Sequence, residues 1–365
     1  MDASTSGTSE IAGGSLLLGD RLILSDSPVF FIAEVGQNHQ GDIKIAEQLI
    51  DAAKNAGADC VKFQKTNLKE KFTKKALSRP YENRNSWGKT YGEHKQYLEF
   101  SDVEFKQLQE YAKNKNIMFT ASAMDIKSLQ FLLDINVPFV KIGSGDANNI
   151  PLLLQAAKSE VPLVISTGMQ ALTSVEKIHS IVKRYNAKNF ALLHCVSSYP
   201  TPLEDINLSI IKLYQQTFPN NIIGYSGHEL GIDVSVAATV MGAKIIERHI
   251  TLDKSQKGTD HSCSLLPEEF FLMVQNVKKL QIAIGIPQKV CMQSELICWF
   301  KLGKTLVAAK NLTEGQIIKA DDLKIKIADP KGIDPIYYES ILGKTLKTKV
   351  KQDQAILHTY IDFEA

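Results

Sequence analysis

The stretch "KIIERHI" (Lys244–Ile250) runs apolar to Ile246 and then places Glu247, Arg248 and His249 in a row. Side chains alternate along a strand, so Glu247 and His249 share one face and Arg248 takes the other. An apolar run that ends in ionisable groups suits a buried strand whose carboxyl end opens on a site. Seven other short runs share this texture: "VFFIAEVG" from Val29, "CVKFQ" from Cys60, "IMFTAS" from Ile117, "FVKIGS" from Phe139, "PLVISTG" from Pro162, "FALLHCV" from Phe190 and "NIIGYSG" from Asn221. Strands apolar through their length indicate a parallel sheet covered on both faces.

Amphipathic segments separate the runs. In "IKIAEQLIDAAKNAG", Ile45, Ala46, Leu49, Ile50 and Ala53 recur at helical spacing, and Gly57 is a natural stop. In "TSVEKIHSIVKRYN", Thr173 and Glu176 have the spacing of a capping box. Eight such βα units predict an α/β fold, a (β/α)8 TIM barrel over residues 28–286. A doubly wound open sheet is the alternative, but no G-x-G-x-x-G follows the first strand. After Ile286 the texture changes. Residues 287–301 read as a linker. Residues 302–365 show short strands, turns and a repeated "LGKTL" (from Leu302 and Leu342), which predicts a small β-rich C-terminal domain.

A net charge of +2 gives no broad basic field for nucleic acid or membrane, so any anion site is local. The five cysteines are scattered and lack C-x-x-C spacing, which points to a reducing compartment and a cytoplasmic location. No apolar run reaches the ~18 residues of a membrane span. Residues 1–27 begin "MDASTSGTSEIAGGS" and read as a poorly ordered tail.

Catalytic groups of such barrels lie at the carboxyl ends of the strands. In order, those ends offer Glu34, Lys62 with Gln64, Thr120 with Ser122, Lys141 with Ser144 and Asp146, Ser166 with Thr167, His194 with Ser197 and Tyr199, Ser226 with His228, and Glu247 with His249. Each has a plain structural reading, but polar groups at all eight ends converge on one mouth. His228 and His249, on adjacent strands, are suited either to a divalent metal with open positions for water and substrate or to hydrogen bonding with Glu247 or Glu34. Lys62 and Lys141 with the neighbouring serine hydroxyls form an anion cradle for a small carboxylate-phosphate, or pair with Glu34 or Asp146. The connection Lys65–Glu99 is too long for an ordinary loop, and Tyr81, Trp87, Tyr91 and Tyr97 argue for order. Its Arg79, Arg84, Lys89 and His94 are candidates for a sugar phosphate, or form a solvated charged loop.

"FIAEVGQNHQGD", "GADCVKFQKTNL", "VKIGSGDANN", "VISTGMQ", "LLHCVSSYPTP", "IGYSGHELG", "GAKIIERHITLDKSQKGTDHS" and "LGKTLVAAKNLTEGQIIKADDLKIK" occur in this order. With them the chain resembles the sialic acid synthase family from about residue 28 to 360. The loop "RPYENRNSWGKTYGEHKQYLEF" resembles its animal branch. The resemblance implies a TIM barrel followed by an antifreeze-like (SAF) domain. It also implies condensation of phosphoenolpyruvate with N-acetylmannosamine 6-phosphate, by metal-assisted carbon–carbon bond formation with C–O cleavage. Mannose 6-phosphate, another aldose, or a non-catalytic carbohydrate-binding role are the alternatives.

Residue by residue, the resemblance implies phosphoenolpyruvate contacts from Lys62, Ser122, Lys141, Ser144, Ser166, Ser197 and Ser226, and sugar contacts from Gln64, Asp146, Tyr199 and Asp260. Glu34 is implied as the acid near the reacting carbons and Glu247 as a supporting acid. His228 and His249 are implied as ligands of a divalent metal, Mn2+ or Mg2+. Bacterial members carry Asn at Ser197, Asp at Gly227, and an Arg in the turn that reads "IADPKG" here, where Lys331 is the substitute. A domain-swapped homodimer is the implied assembly.

Overall fold

The computed structural model describes residues 14–186 and 189–364. It divides into a unit ending at Gly285 and a second beginning at Ile286. The first is a closed barrel of eight parallel strands: β3 (Phe30–Gly36), β4 (Cys60–Lys65), β5 (Met118–Ala123), β6 (Val140–Ile142), β7 (Leu163–Ser166), β8 (Phe190–Cys195), β9 (Ile222–Gly227) and β10 (Ile245–His249). β10 closes on β3, which excludes the open sheet.

Helices cover the outer strand faces. Asp42 caps helix Ile43–Asn55 through bonds from Lys44 N and Ile45 N, and Ala46, Leu49, Ile50 and Ala53 are its buried face. Gly57 adopts φ +86° just past its end, a conformation that a side chain would strain. The expected capping box at Thr173 does not form. Helix Leu172–Tyr185 starts two residues earlier, at an Ala171 cap without a side-chain bond.

The inward strand faces change character along their length. At the amino end they carry Phe30, Ile32, Cys60, Phe139, Val164, Ala191, Leu193, Ile222 and Ile245, an apolar cluster. At the carboxyl end the same faces continue as Glu34, Lys62, Lys141, Ser166, Ser226, Glu247 and His249, because alternate residues of a strand point the same way. A hairpin of β1 (Leu16–Leu18) and β2 (Arg21–Ile23) packs Leu16, Leu18 and Ile23 against the apolar cluster. This corrects the expectation of a poorly ordered tail for the described part of residues 1–27. Residues 1–13 lie outside the described residues. Apolar side chains alternating around a Gly19–Asp20 turn bury enough surface to hold the hairpin down.

The second unit pairs β11 (Thr305–Ala308) with β12 (Leu323–Lys326), and β13 (Thr345–Leu346) with β14 (Ile361–Asp362). Both copies of "LGKTL" lead into a strand, and their last leucines, Leu306 and Leu346, join one core. The stretch expected as a linker is partly helical, at Leu296–Leu302. Lys331 donates to the Gly303 carbonyl and lies 5.8 Å from the Trp299 ring centroid.

Candidate active site

Strand register sets the first row of the site. β10 aligns His249 with Glu34, and β3 aligns Glu34 with Lys62. The register then slips between Glu34 and Gly36, a bulge that bends β3 at the mouth. Gly36 adopts φ +56°, and a Cβ there would stand 3.2 Å from His249 Nδ1 and 3.3 Å from Glu34 Oε1.

A cavity of about 350 Å³ opens at this end. Glu34, Lys62, Gln64, Ser122, Lys141, Ser144, Asp146, Ser166, Ser197, Tyr199, Ser226, His228, Glu247 and His249 all line it. Lys62 Nζ lies 2.6 Å from Glu34 Oε2 and donates to Ser122 Oγ at 2.8 Å. Lys141 Nζ donates to Ser166 Oγ at 2.7 Å. Glu247 Oε1 stands 3.6 Å from each ammonium. It therefore bridges the two lysines, beyond the supporting place expected beside the histidines. Two buried cations thus face two buried anions, the arrangement that makes such charges tolerable out of water.

Burial pushes the Glu34 carboxyl above its ordinary range, and the charge of Glu247 adds to this, while Lys62 opposes it. Burial acts on Glu247 in the same sense, but Lys141, Lys62 and both histidines outweigh it and hold that carboxyl low. Burial also lowers the Lys141 ammonium, against the pull of Glu247.

Ser144 Oγ accepts from Gly168 N at 3.0 Å. A Cβ on Gly168 would fall 2.4 Å from Ser197 Oγ and 2.7 Å from Ser144 Oγ, so a glycine is what lets both hydroxyls approach this backbone. Among the described residues Ser197 Oγ has no hydrogen-bond partner, and it is buried on the cavity wall.

His228 and His249 have ring centroids 5.3 Å apart. Burial lowers each to about 4, so both imidazoles are neutral near pH 7. His228 Nδ1 contacts the Val196 carbonyl at 3.0 Å, where only a donor fits, so its Nε2 is left as an acceptor. His249 Nδ1 is buried and has no hydrogen-bond partner among the described residues. Two neutral imidazoles with free lone pairs fit a divalent cation as a two-histidine set. Among the described residues no third side chain joins them in a metal-binding group, so a cation held there would need water or substrate oxygen for its remaining positions. The Tyr199 ring packs on His228 at 4.1 Å between centroids.

Some expected groups lie elsewhere. Thr167 and His194 turn outward, bonding to the Leu193 and Ile206 carbonyls. Asp260 does not line the cavity but stands in a narrow cleft beside it with Gln37, Trp87 and His94. The long loop is ordered, with rings of Tyr81, Trp87 and Tyr91 packed around His94. None of the four loop candidates for a sugar phosphate lines the cavity. Arg79 covers the Tyr91 ring at 4.1 Å, and Arg84 and Lys89 are exposed. Burial lowers His94 to about 4, so it is a neutral packing ring and not a cation. Two cations that the sequence reading missed are Lys71, which lines the cavity, and Lys95, whose Nζ donates to Gln37 Oε1 at 2.9 Å. Adjacency of Lys95 to a histidine already singled out was the only signal available.

A family model described as the NeuB family matches residues 49–289, and a SAF domain matches 303–358. The chain is 48% identical to human N-acetylneuraminate-9-phosphate synthase over 342 residues, covering 94% of this chain and 95% of that one. It is also 48% identical to the Drosophila melanogaster protein of the same name, covering 90% and 95%. Among solved structures it resembles an N-acetylneuraminic acid (sialic acid) synthetase from Leptospira borgpetersenii with a TM-score of 0.68. That pair is 34% identical, with 80% of this chain and 97% of that one covered. The eight-stranded barrel with its polar mouth, followed by a SAF domain, belongs to the NeuB family.

Proposed function

We propose that the protein condenses phosphoenolpyruvate with N-acetylmannosamine 6-phosphate to give N-acetylneuraminate 9-phosphate and phosphate. The observation that carries this reading is the pairing of Lys62 and Lys141 with serine hydroxyls directly beside Glu34 and two neutral histidines. Near-complete alignment with relatives named for this product supports it.

Lys62 and Lys141 neutralise the carboxylate and phosphate of phosphoenolpyruvate, with Ser122, Ser144, Ser166 and Ser226 as donors. Held against the open-chain sugar, carbon 3 attacks the aldehyde carbon, and the new carbon–carbon bond leaves positive charge at carbon 2. Fixing both partners in line is worth ~7–11 kcal/mol. Water adds at carbon 2, and Glu34, poised by burial, accepts its proton. The tetrahedral species then expels phosphate with its bridging oxygen. Gln64 orients Glu34 through a bond of 2.9 Å to Oε1, and Asp146 and Tyr199 line the sugar side. His228 and His249 would hold a divalent cation, Mn2+ or Mg2+, which would supply Lewis acidity for the condensation.

Among the described residues no helix is long and apolar enough to cross a membrane. The reading places the work in the cytoplasm and in a homodimer, which sedimentation velocity tests. Phosphate release from phosphoenolpyruvate tests the reaction itself. It should require both a divalent cation and a sugar, with N-acetylmannosamine 6-phosphate best in a panel that includes mannose 6-phosphate and unphosphorylated sugars. Release independent of sugar would remove the condensation.

A further inference from the structure

The deep lysines of the mouth face carboxylates, and so does Lys65, 3.4 Å from Glu99 and 3.1 Å from Asp102. Lys95 departs from this pattern, and Lys71 follows it through one carboxylate alone. Lys71 ends helix Leu68–Lys71 and lines the cavity. Its Nζ reaches Asp146 only at 3.7 Å and otherwise rests 2.9 Å from Met124 Sδ, a weak acceptor. Lys95, on helix Tyr91–Leu98, donates to the neutral Gln37 Oε1 at 2.9 Å and makes no ion pair among the described residues. Burial lowers its ammonium below the lysine range, against the pull of Asp260, and the charge of Lys71 pushes the same way.

The two lysines belong to one surface. The Phe72 and Tyr91 rings meet edge to face at 5.5 Å. Lys71 Nζ lies 5.8 Å from the Phe72 centroid, and Lys95 Nζ 5.5 Å from the Tyr91 centroid. Aromatic faces give these ammonium groups partial compensation and hold their stems. They do not supply formal negative charge, of which Asp146, 3.7 Å from Lys71 Nζ, is the one carboxylate paired with either ammonium among the described residues. Gln37 follows Glu34 out of β3, and Asp146 follows Lys141 out of β6. The pair therefore stands just outside the row of residues that hold phosphoenolpyruvate in the reading above.

We propose that Lys95 and Lys71 form an anion subsite for the terminal phosphate of an open-chain aldose phosphate whose aldehyde end lies at Glu34 and the two histidines. The subsite rests on the reaction proposed above and names the residues that select its phosphorylated substrate. A phosphate dianion supplies the missing counter-charge and replaces Gln37 and Met124 as acceptor, giving charge-assisted bonds of the stronger class. A free sugar leaves Lys95 without an ion-pair partner and the two lysines with Asp146 alone. The exposed Arg84 and Lys89 offer a screened, hydrated charge instead.

The test compares kcat/KM for N-acetylmannosamine 6-phosphate with that for N-acetylmannosamine in wild type, Lys95→Gln, Lys71→Gln and Arg84→Gln, at saturating phosphoenolpyruvate. Both sugars are measured on the same protein, so any partly unfolded fraction cancels from the ratio. Wild type should prefer the phosphorylated sugar. Lys95→Gln and Lys71→Gln should each reduce that preference roughly ten- to a hundredfold, as expected for a lost charged hydrogen bond, and Arg84→Gln should keep it. An unchanged ratio in both lysine variants overturns the subsite and leaves the reaction standing. A wild-type protein without the preference overturns the choice of substrate and the subsite with it.

Discussion

Arg248 and Glu229 form an ion pair of 2.6 Å in which neither side chain is exposed to water. Arg248 sits between Glu247 and His249 on β10, and Glu229 follows His228 after β9. The pair thus ties together, on the outer barrel face, the two segments that carry the histidines. Tyr225 and Ser235 donate hydroxyls to Glu229 at 2.8 and 2.7 Å, and Arg248 donates to the Glu229 and Gly231 carbonyls. Removing one member leaves a buried charge alone, at a cost of about 3–5 kcal/mol. Arg248→Met should lower the urea midpoint accordingly, and adding Glu229→Gln should restore part of it. A midpoint within error of wild type would show that the pair does not brace the strands.

The alternation that makes Arg248 structural was readable from "KIIERHI" alone, as were the eight strands and the polar ends that line the cavity. A polar residue at the end of an apolar run is a strong signal because burial without a purpose is costly. Other features escaped for physical reasons. Leu16, Leu18 and Ile23 sit beyond a run of small polar residues, and three-residue strands carry too little periodicity to stand out. The loop cations were chosen by residue type, which says nothing of direction: His94 packs among aromatic rings, while its neighbour Lys95 reaches Gln37, just past the end of β3. The bridging of Lys62 and Lys141 by Glu247 depends on register across three strands, which no local pattern encodes.

Glu34 tests the assignment of the proton acceptor. Glu34→Gln keeps the size and the Gln64 contact but cannot take a proton. Product formation should fall by roughly 10²–10⁴-fold, the usual contribution of a general base, while circular dichroism stays native. Activity near the wild-type level would assign proton transfer elsewhere.

Gly168 tests the hydroxyl cradle. A methyl group there must push Ser197 and Ser144 away, and it disturbs the bond from Gly168 N to Ser144. Gly168→Ala should raise KM for phosphoenolpyruvate about tenfold, equivalent to the loss of about one net hydrogen bond. KM for the sugar phosphate should change little. An unaltered KM for phosphoenolpyruvate would take these serines out of its site.

Glu99 provides a pH signature in the fold. Its Oε1 accepts from Thr66 N at 3.0 Å, yet burial pushes its pKa from 4.5 to about 7. The folded state therefore holds a proton that the unfolded chain has released. The stabilisation is full below pH 4.5 and is lost as the pH rises to about 7. Glu99→Gln should flatten the stability profile across that window, as measured by denaturation at a series of pH values. An identical slope in the variant would assign the dependence to other groups.

The central claim is that phosphoenolpyruvate joins a sugar phosphate with cleavage of its carbon–oxygen bond in the barrel mouth. Phosphoenolpyruvate labelled with ¹⁸O at the bridging oxygen reads this directly. With N-acetylmannosamine 6-phosphate and Mn2+, the account predicts that the label leaves with inorganic phosphate as the nine-carbon acid phosphate forms. Unlabelled phosphate, with ¹⁸O retained at carbon 2, would contradict it.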